Sequence, residues 1–146
     1  TIRTVGNIRD VAVTHTYGSD TPYAIADGKQ PKNSFDRSIP RWTSYPQLGR
    51  EQTVEVTLRK EQKVESVSVY WYDDKGGVQV PVSWKMEYKS GDEWKEFKPY
   101  ITDRFGVEPD QYNMVHPDKE ISTKALRLKI QPKKESTVGI LELIVE

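Results

Sequence analysis

The sequence predicts an all-β fold, a sandwich or barrel of antiparallel strands. Three observations lead there. Apolar residues recur with a period of two over several short runs, turn residues separate those runs, and no stretch of ten or more residues carries a convincing amphipathic helical pattern. At 146 residues the chain fits one domain with a substantial core.

The strands follow in order. "TVEVTL" places Val54, Val56 and Leu58 on one face. In "VSVYWY" Val67, Val69 and Trp71 lie opposite Ser68, Tyr70 and Tyr72, and "SWKMEY" sets Trp84, Met86 and Tyr88 against Lys85 and Glu87. Such alternation describes the half-buried strands of an antiparallel sheet. A Ser-Gly-Asp turn between Tyr88 and Trp94 then folds the chain back, so that "EWKEF" returns alongside as a hairpin. "ALRLKI" alternates Leu126, Leu128 and Ile130 with Arg127 and Lys129, and "GILELIVE" reads as the final strand.

Two stretches break this regularity: residues 17–50, with Pro22, Pro31, Pro40 and Pro46, and residues 99–118. Within the first, "ADGKQPKNSFDRSIPRW" at 26–42 exceeds the roughly 12–15 residues beyond which a structureless loop is usually functional or disordered. In a sandwich such excursions emerge at the ends of the sheets, where a rigid scaffold presents side chains, so function is expected there.

Composition narrows the partners. The 22 Lys and Arg balance 22 Asp and Glu, which leaves no global field to recruit nucleic acid. No run approaches the roughly 18 apolar residues of a membrane span, and no stretch of the sequence reads as a signal peptide. Without cysteine there is no disulfide, thiolate metal site or cysteine nucleophile. Tyr (8) and Trp (4) outnumber Phe (3), so most aromatic surface carries a polar handle suited to interfaces. The chain begins at Thr1 rather than Met, and is expected to be one domain, 1–146, excised from a longer protein.

The succession of "VAVTHTY", the "AIADG" turn, a following Trp, "QTVEVTL", "KVESVSVYWYDD", "VPVSWKMEYKSGDEWKEF", "TKALRLKI" and "GILELIVE" resembles the discoidin or coagulation factor V/VIII type C domains and the related family 32 carbohydrate-binding modules. The resemblance spans nearly the whole chain. It implies an eight-stranded antiparallel jelly-roll sandwich, galactose-binding-domain-like in fold. "DGKQPKNSFDRSIPRWTSYPQ" and "VYWYDDKGGVQVPVSWKMEYKSGDEWKEF" look like modules attached to bacterial glycoside hydrolases, including the β-L-arabinofuranosidase type. An extracellular, periplasmic or cell-surface location follows from that likeness.

The resemblance also implies a structural Ca²⁺ between the DG loop and the last strand. Asp27 and Glu142 match its carboxylates, backbone carbonyls around Lys29 and Lys32 are available, and Ser34 offers a hydroxyl, although it stands seven residues after Asp27 and the family spacing is shorter. Calcium takes about six to eight such oxygens. The competing reading is an ordinary Asp-Gly turn with Glu142 facing solvent.

A second constellation is aromatic and polar. Tyr17 and Tyr23 precede Arg37, Arg41, Trp42 and Tyr45, and Trp71, Tyr72, Asp73 and Asp74 end a strand. A sugar presents a flat apolar face and a rim of hydroxyls, which aromatic rings beside Arg and Asp suit. The expected carbohydrate contacts are Arg37, Arg41, Trp42, Tyr45, Tyr72, Asp73 and Asp74. Periodicity favours a core position for Trp71, and Trp84 and Trp94 read as core or hairpin packing; Trp42 either meets the ligand or plugs the sandwich end, and Tyr45 and Tyr72 are the better surface candidates. Asp73-Asp74-Lys75-Gly76-Gly77 also reads simply as a tight turn whose aspartates cap backbone amides.

No pair of carboxylates is singled out for glycoside hydrolysis, and no nucleophile elbow, phosphate loop, dinucleotide fingerprint or zinc signature occurs. His15 and His116 lack metal-ligand spacing. The expected function is a noncatalytic module that binds a glycan and keeps an attached catalytic domain near its polymer. Its rivals are an accessory domain that binds no sugar and a protein-binding discoidin-like domain.

Overall fold

In the computed structural model, which describes residues 2–146, the alternating runs become β1 (Ile8–Val13), β2 (Trp42–Thr43), β3 (Gln52–Lys63), β4 (Val67–Tyr72), β5 (Ser83–Ser90), β6 (Glu93–Phe97), β7 (Tyr112–Val115), β8 (Ser122–Gln131) and β9 (Gly139–Val145), with one 3₁₀ turn at Pro22–Ala26. Eight of the strands are longer than two residues, and β2 is a two-residue contact. Two antiparallel sheets result, ordered β1-β3-β8-β5-β6 and β2-β9-β4-β7.

The five-stranded sheet follows the expected alternation. Val54, Val56, Leu58, Trp84, Met86, Leu126, Leu128 and Ile130 face inward and are buried, while Lys85 and Glu55 point outward. On the outer face Glu87 accepts two bonds from Arg127, at 2.9 and 2.7 Å, and the Arg127 guanidinium lies 4.2 Å from the Trp94 ring centroid. Of the two places open to Trp94, core or hairpin packing, the structure takes the second.

The four-stranded sheet departs from the half-buried pattern. All six residues of β4 are buried, including Ser68, Tyr70 and Tyr72 on the expected solvent face. The cause lies outside the strand. Tyr70, Tyr72 and Leu141 form a small apolar cluster on the outer side of this sheet with Val78, closed over by Ile39 from the long loop and by Tyr112. The loop at 26–42 thus covers a sheet face, which explains its length.

The excursion at 99–118 holds a strand that periodicity did not reveal, β7, whose residues pair with β4 from Tyr112 to Val115. Its preceding segment plugs one end of the core. Trp71 and Trp84 meet edge to face at 5.6 Å, and both indole N–H groups donate to the Gly106 carbonyl, at 3.0 and 2.7 Å. A Cβ on Gly106 would lie 2.5 Å from Asn113 Oδ1, so only glycine lets this carbonyl reach both tryptophans.

Candidate functional site

The stretch Tyr17–Asp20, the end of the long loop and the turn after β4 converge on a groove of about 510 Å³. Arg37, Arg41, Tyr45, Tyr72 and Asp74 all line it, joined by Tyr17, Asp20 and Thr43. Tyr17 and Tyr45 meet edge to face at 5.3 Å, and their rings are 43 % and 41 % exposed, so two aromatic surfaces stand open beside two guanidiniums and two carboxylates.

Packing fixes each of these groups. The Tyr45 carbonyl meets His15 Nε2 at 3.1 Å, and the Tyr45 ring lies against Gly77, where a Cβ would sit 3.1 Å from it. The Arg41 guanidinium carbon lies 4.9 Å from the Tyr72 ring centroid, and Nη2 donates to the Arg37 carbonyl at 3.2 Å. Arg41 Nε is buried with no hydrogen-bond partner among the described residues. Asp20 Oδ2 accepts from the Thr43 hydroxyl at 2.6 Å, and Asp74 Oδ1 accepts from the amides of Gly76 and Val78.

One expected contact, Trp42, is corrected by this geometry, and two, Tyr72 and Asp73, take narrower places. Trp42 is fully buried and donates its indole N–H to the His15 carbonyl at 2.9 Å, so it plugs the sandwich and offers no face to a ligand. Tyr72 is 4 % exposed because Ile39 and Arg41 cover it; it supports Arg41 rather than meeting solvent. Asp73 spends both oxygens on the turn, accepting from Lys75 N at 2.8 Å and Val80 N at 3.1 Å, and lines an adjoining concavity rather than this one. Tyr23 lies in a different surface concavity with Arg3, Arg9 and Arg59. Asp20, Thr43 and Gly77 were missed, because no local pattern links them to residues distant in sequence.

The DG loop meets β9, as the family resemblance implied for Asp27 and Glu142. Glu142 Oε2 accepts from Gly28 N at 2.8 Å and Asp27 Oδ1 accepts from Lys29 N at 3.0 Å, while Asp27 Oδ2 and Glu142 Oε1 are buried and receive no hydrogen bond. Burial, then the neighbouring Asp27 charge, pushes the Glu142 carboxyl up to about 9. Two buried carboxylate oxygens in one spot are hard donors of the kind a divalent cation takes. Among the described residues no cluster of three or more His, Cys, Asp or Glu could hold a metal, and no backbone amide among them donates to the carbonyls of Lys29 or Lys32.

Ser34 is the misplaced member. Its hydroxyl accepts from Asp110 N at 2.7 Å, its own N–H donates to Asp110 Oδ1 at 2.8 Å, and its carbonyl accepts from Asp73 N at 2.9 Å. The long loop has carried it away from Asp27, and it laces three loops together instead.

Comparison with known proteins agrees with this architecture. The family model of the F5/8 type C domain matches residues 10–143. The chain belongs to the F5/8 type C domain family. Among solved structures, a chain of the Streptococcus pneumoniae beta-galactosidase BgaA superposes with a TM-score of 0.75 at 19 % identity, covering 96 % of this chain and 97 % of that one. The family 32 carbohydrate-binding module of Clostridium perfringens NanJ, in complex with galactose, gives 0.72 at 14 % identity, covering 93 % and 91 %. A further family 32 module from C. perfringens, in complex with GalNAc-β-1,3-galactose, gives 0.69 at 10 % identity over 93 % of each chain. At these identities the likeness is one of fold. No curated protein matches the chain.

Proposed function

We propose that this domain is a noncatalytic carbohydrate-binding module, which holds an attached glycoside hydrolase of the β-L-arabinofuranosidase type against a polysaccharide or glycan outside the bacterial cell. The observation that carries it is the loop-end groove, where exposed Tyr17 and Tyr45 stand beside Arg37, Arg41, Asp20 and Asp74. A ring face takes the apolar side of a sugar, and the charged groups take its hydroxyls. Galactose-bound and GalNAc-β-1,3-galactose-bound neighbours of the same fold support the reading. Among the described residues no helix is long and apolar enough to cross a membrane.

Calcium belongs to the same proposal. Asp27 and Glu142 would hold it through their orphaned oxygens, aided by the Lys29 and Lys32 carbonyls, and the ion would neutralise two buried carboxylates and pin the DG loop to β9.

The test is retention of the domain on galactose, GalNAc-β-1,3-galactose, pectin, chitosan and arabinan by affinity electrophoresis or calorimetry. At least one is expected to be retained, and Tyr45→Ala is expected to weaken that binding about tenfold or more while leaving the fold intact. A folded protein held by none of a broad glycan panel would instead favour an accessory role without sugar binding.

A further inference from the structure

A second groove, of about 620 Å³, abuts the first. Asp74 lines both. The partition between them is the Arg37–Phe35 pair, with the guanidinium carbon 4.9 Å from the ring centroid: Arg37 faces the first groove and Phe35 the second. Each groove lies within the about 300–1,000 Å³ of small-ligand sites, so each has room for its own unit.

Phe35 is the informative residue. It is 47 % exposed and has no hydroxyl to satisfy in water, yet its backbone is held firmly: its N–H donates to Asn33 Oδ1 at 2.9 Å, inside a loop that Ser34 ties to Asp110 and Asp73. Its ring belongs to neither apolar cluster of the core and packs instead against the Arg37 guanidinium at the edge of the groove. The floor of the second groove is thus built from three loops, 33–35, 73–75 and 109–110, meeting at one buried serine.

From this juxtaposition we infer that the recognised unit is a segment of at least two linked sugar residues lying across both grooves, one stacked on Tyr45 and the next on Phe35, with Asp74 within reach of both. The inference rests on the carbohydrate reading above and narrows it from a single sugar to a chain.

Calorimetry with matched ligands tests it: galactose against GalNAc-β-1,3-galactose, and glucosamine against chitosan oligomers of two to six units. For the series that binds, affinity is expected to rise about tenfold from the single sugar to the longer ligand, the gain of one additional aromatic stack. Phe35→Ala should erase that gain and leave single-sugar binding unchanged, Phe35→Tyr should keep it, and Tyr45→Ala should weaken every ligand. Melting temperatures verify that the Phe35 variants fold. Equal affinity for single and linked sugars, or a length gain that survives Phe35→Ala, overturns the inference while leaving the carbohydrate reading standing. Absence of binding to every sugar sinks both.

Discussion

Asp36 sits in the middle of the long loop and shows how one side chain orders a stretch with no periodic pattern. Its Oδ1 accepts from the Ser38 hydroxyl and amide, at 2.6 and 2.9 Å, and its Oδ2 accepts from Lys32 N at 2.9 Å. These bonds, the Ser38 hydroxyl foremost, hold its carboxyl down at about 2. A folded-state value below the unfolded one, about 3.9, gives stability that is complete above that unfolded value and lost as pH falls towards 2. Asp36→Asn should therefore be less stable than the parent at pH 5, with the gap closing between pH 4 and 2. Urea melts across that range check it, and parallel acid profiles for the two proteins would contradict it.

The same economy explains Asp73, Asp74 and Ser34. Aspartates in an Asp-Asp-Lys-Gly-Gly turn were expected to cap amides, and both do. Ser34 was out of reach of sequence reasoning, because its partner Asp110 lies 76 positions away on a loop that no pattern joins to it.

Among the elements, β2 is the shortest and decides most about the site. Its two residues pair with β9, Trp42 opposite Ile140 and Thr43 opposite Gly139. A Cβ at Gly139 would approach the Trp42 carbonyl to 2.8 Å, so glycine is what allows the strands to close. Trp42 anchors the end of the long loop in the core, and Tyr45 rides three residues behind it. Trp42→Ala should cost about 3–5 kcal/mol, a large-to-small change in a packed interior, and lower the melting temperature by roughly 10 °C or more. Tyr45→Ala, at the surface, should stay within about 1 kcal/mol of the parent. Thermal melts separate the two, and a Trp42→Ala protein as stable as the parent would remove the anchor argument. β4 adds a further lesson: its alternation was legible, but its second buried face was not, since a loop from elsewhere covers it.

For the whole molecule, the DG loop and β9 link the beginning of the chain to its end. Calcium bound there would stabilise the native state alone, raising the melting temperature in proportion to the logarithm of its concentration. The expected result is an increase on adding Ca²⁺, reversal by chelator, and no response in Glu142→Gln. A folded domain whose melting temperature ignores both calcium and chelator would remove the ion from the proposal.

The sequence by itself determined the all-β class, the inward faces of β3, β5 and β8, the β5–β6 hairpin and the core places of Trp71 and Trp84, because each depends on a period of two or on a local turn. Tertiary structure alone decided which loop residues meet. Arg37, Arg41, Tyr45 and Asp74 come together with Tyr17 and Asp20 only because two sheets bring loop ends from three parts of the chain to one edge. It also decided which aromatics stay open: Trp42 read as either a ligand contact or a plug and Tyr72 as a surface candidate, yet burial claims both and leaves Tyr17, Phe35 and Tyr45 exposed. Exposure is a property of what packs against a residue, and a linear pattern carries that information only for neighbours in the same strand.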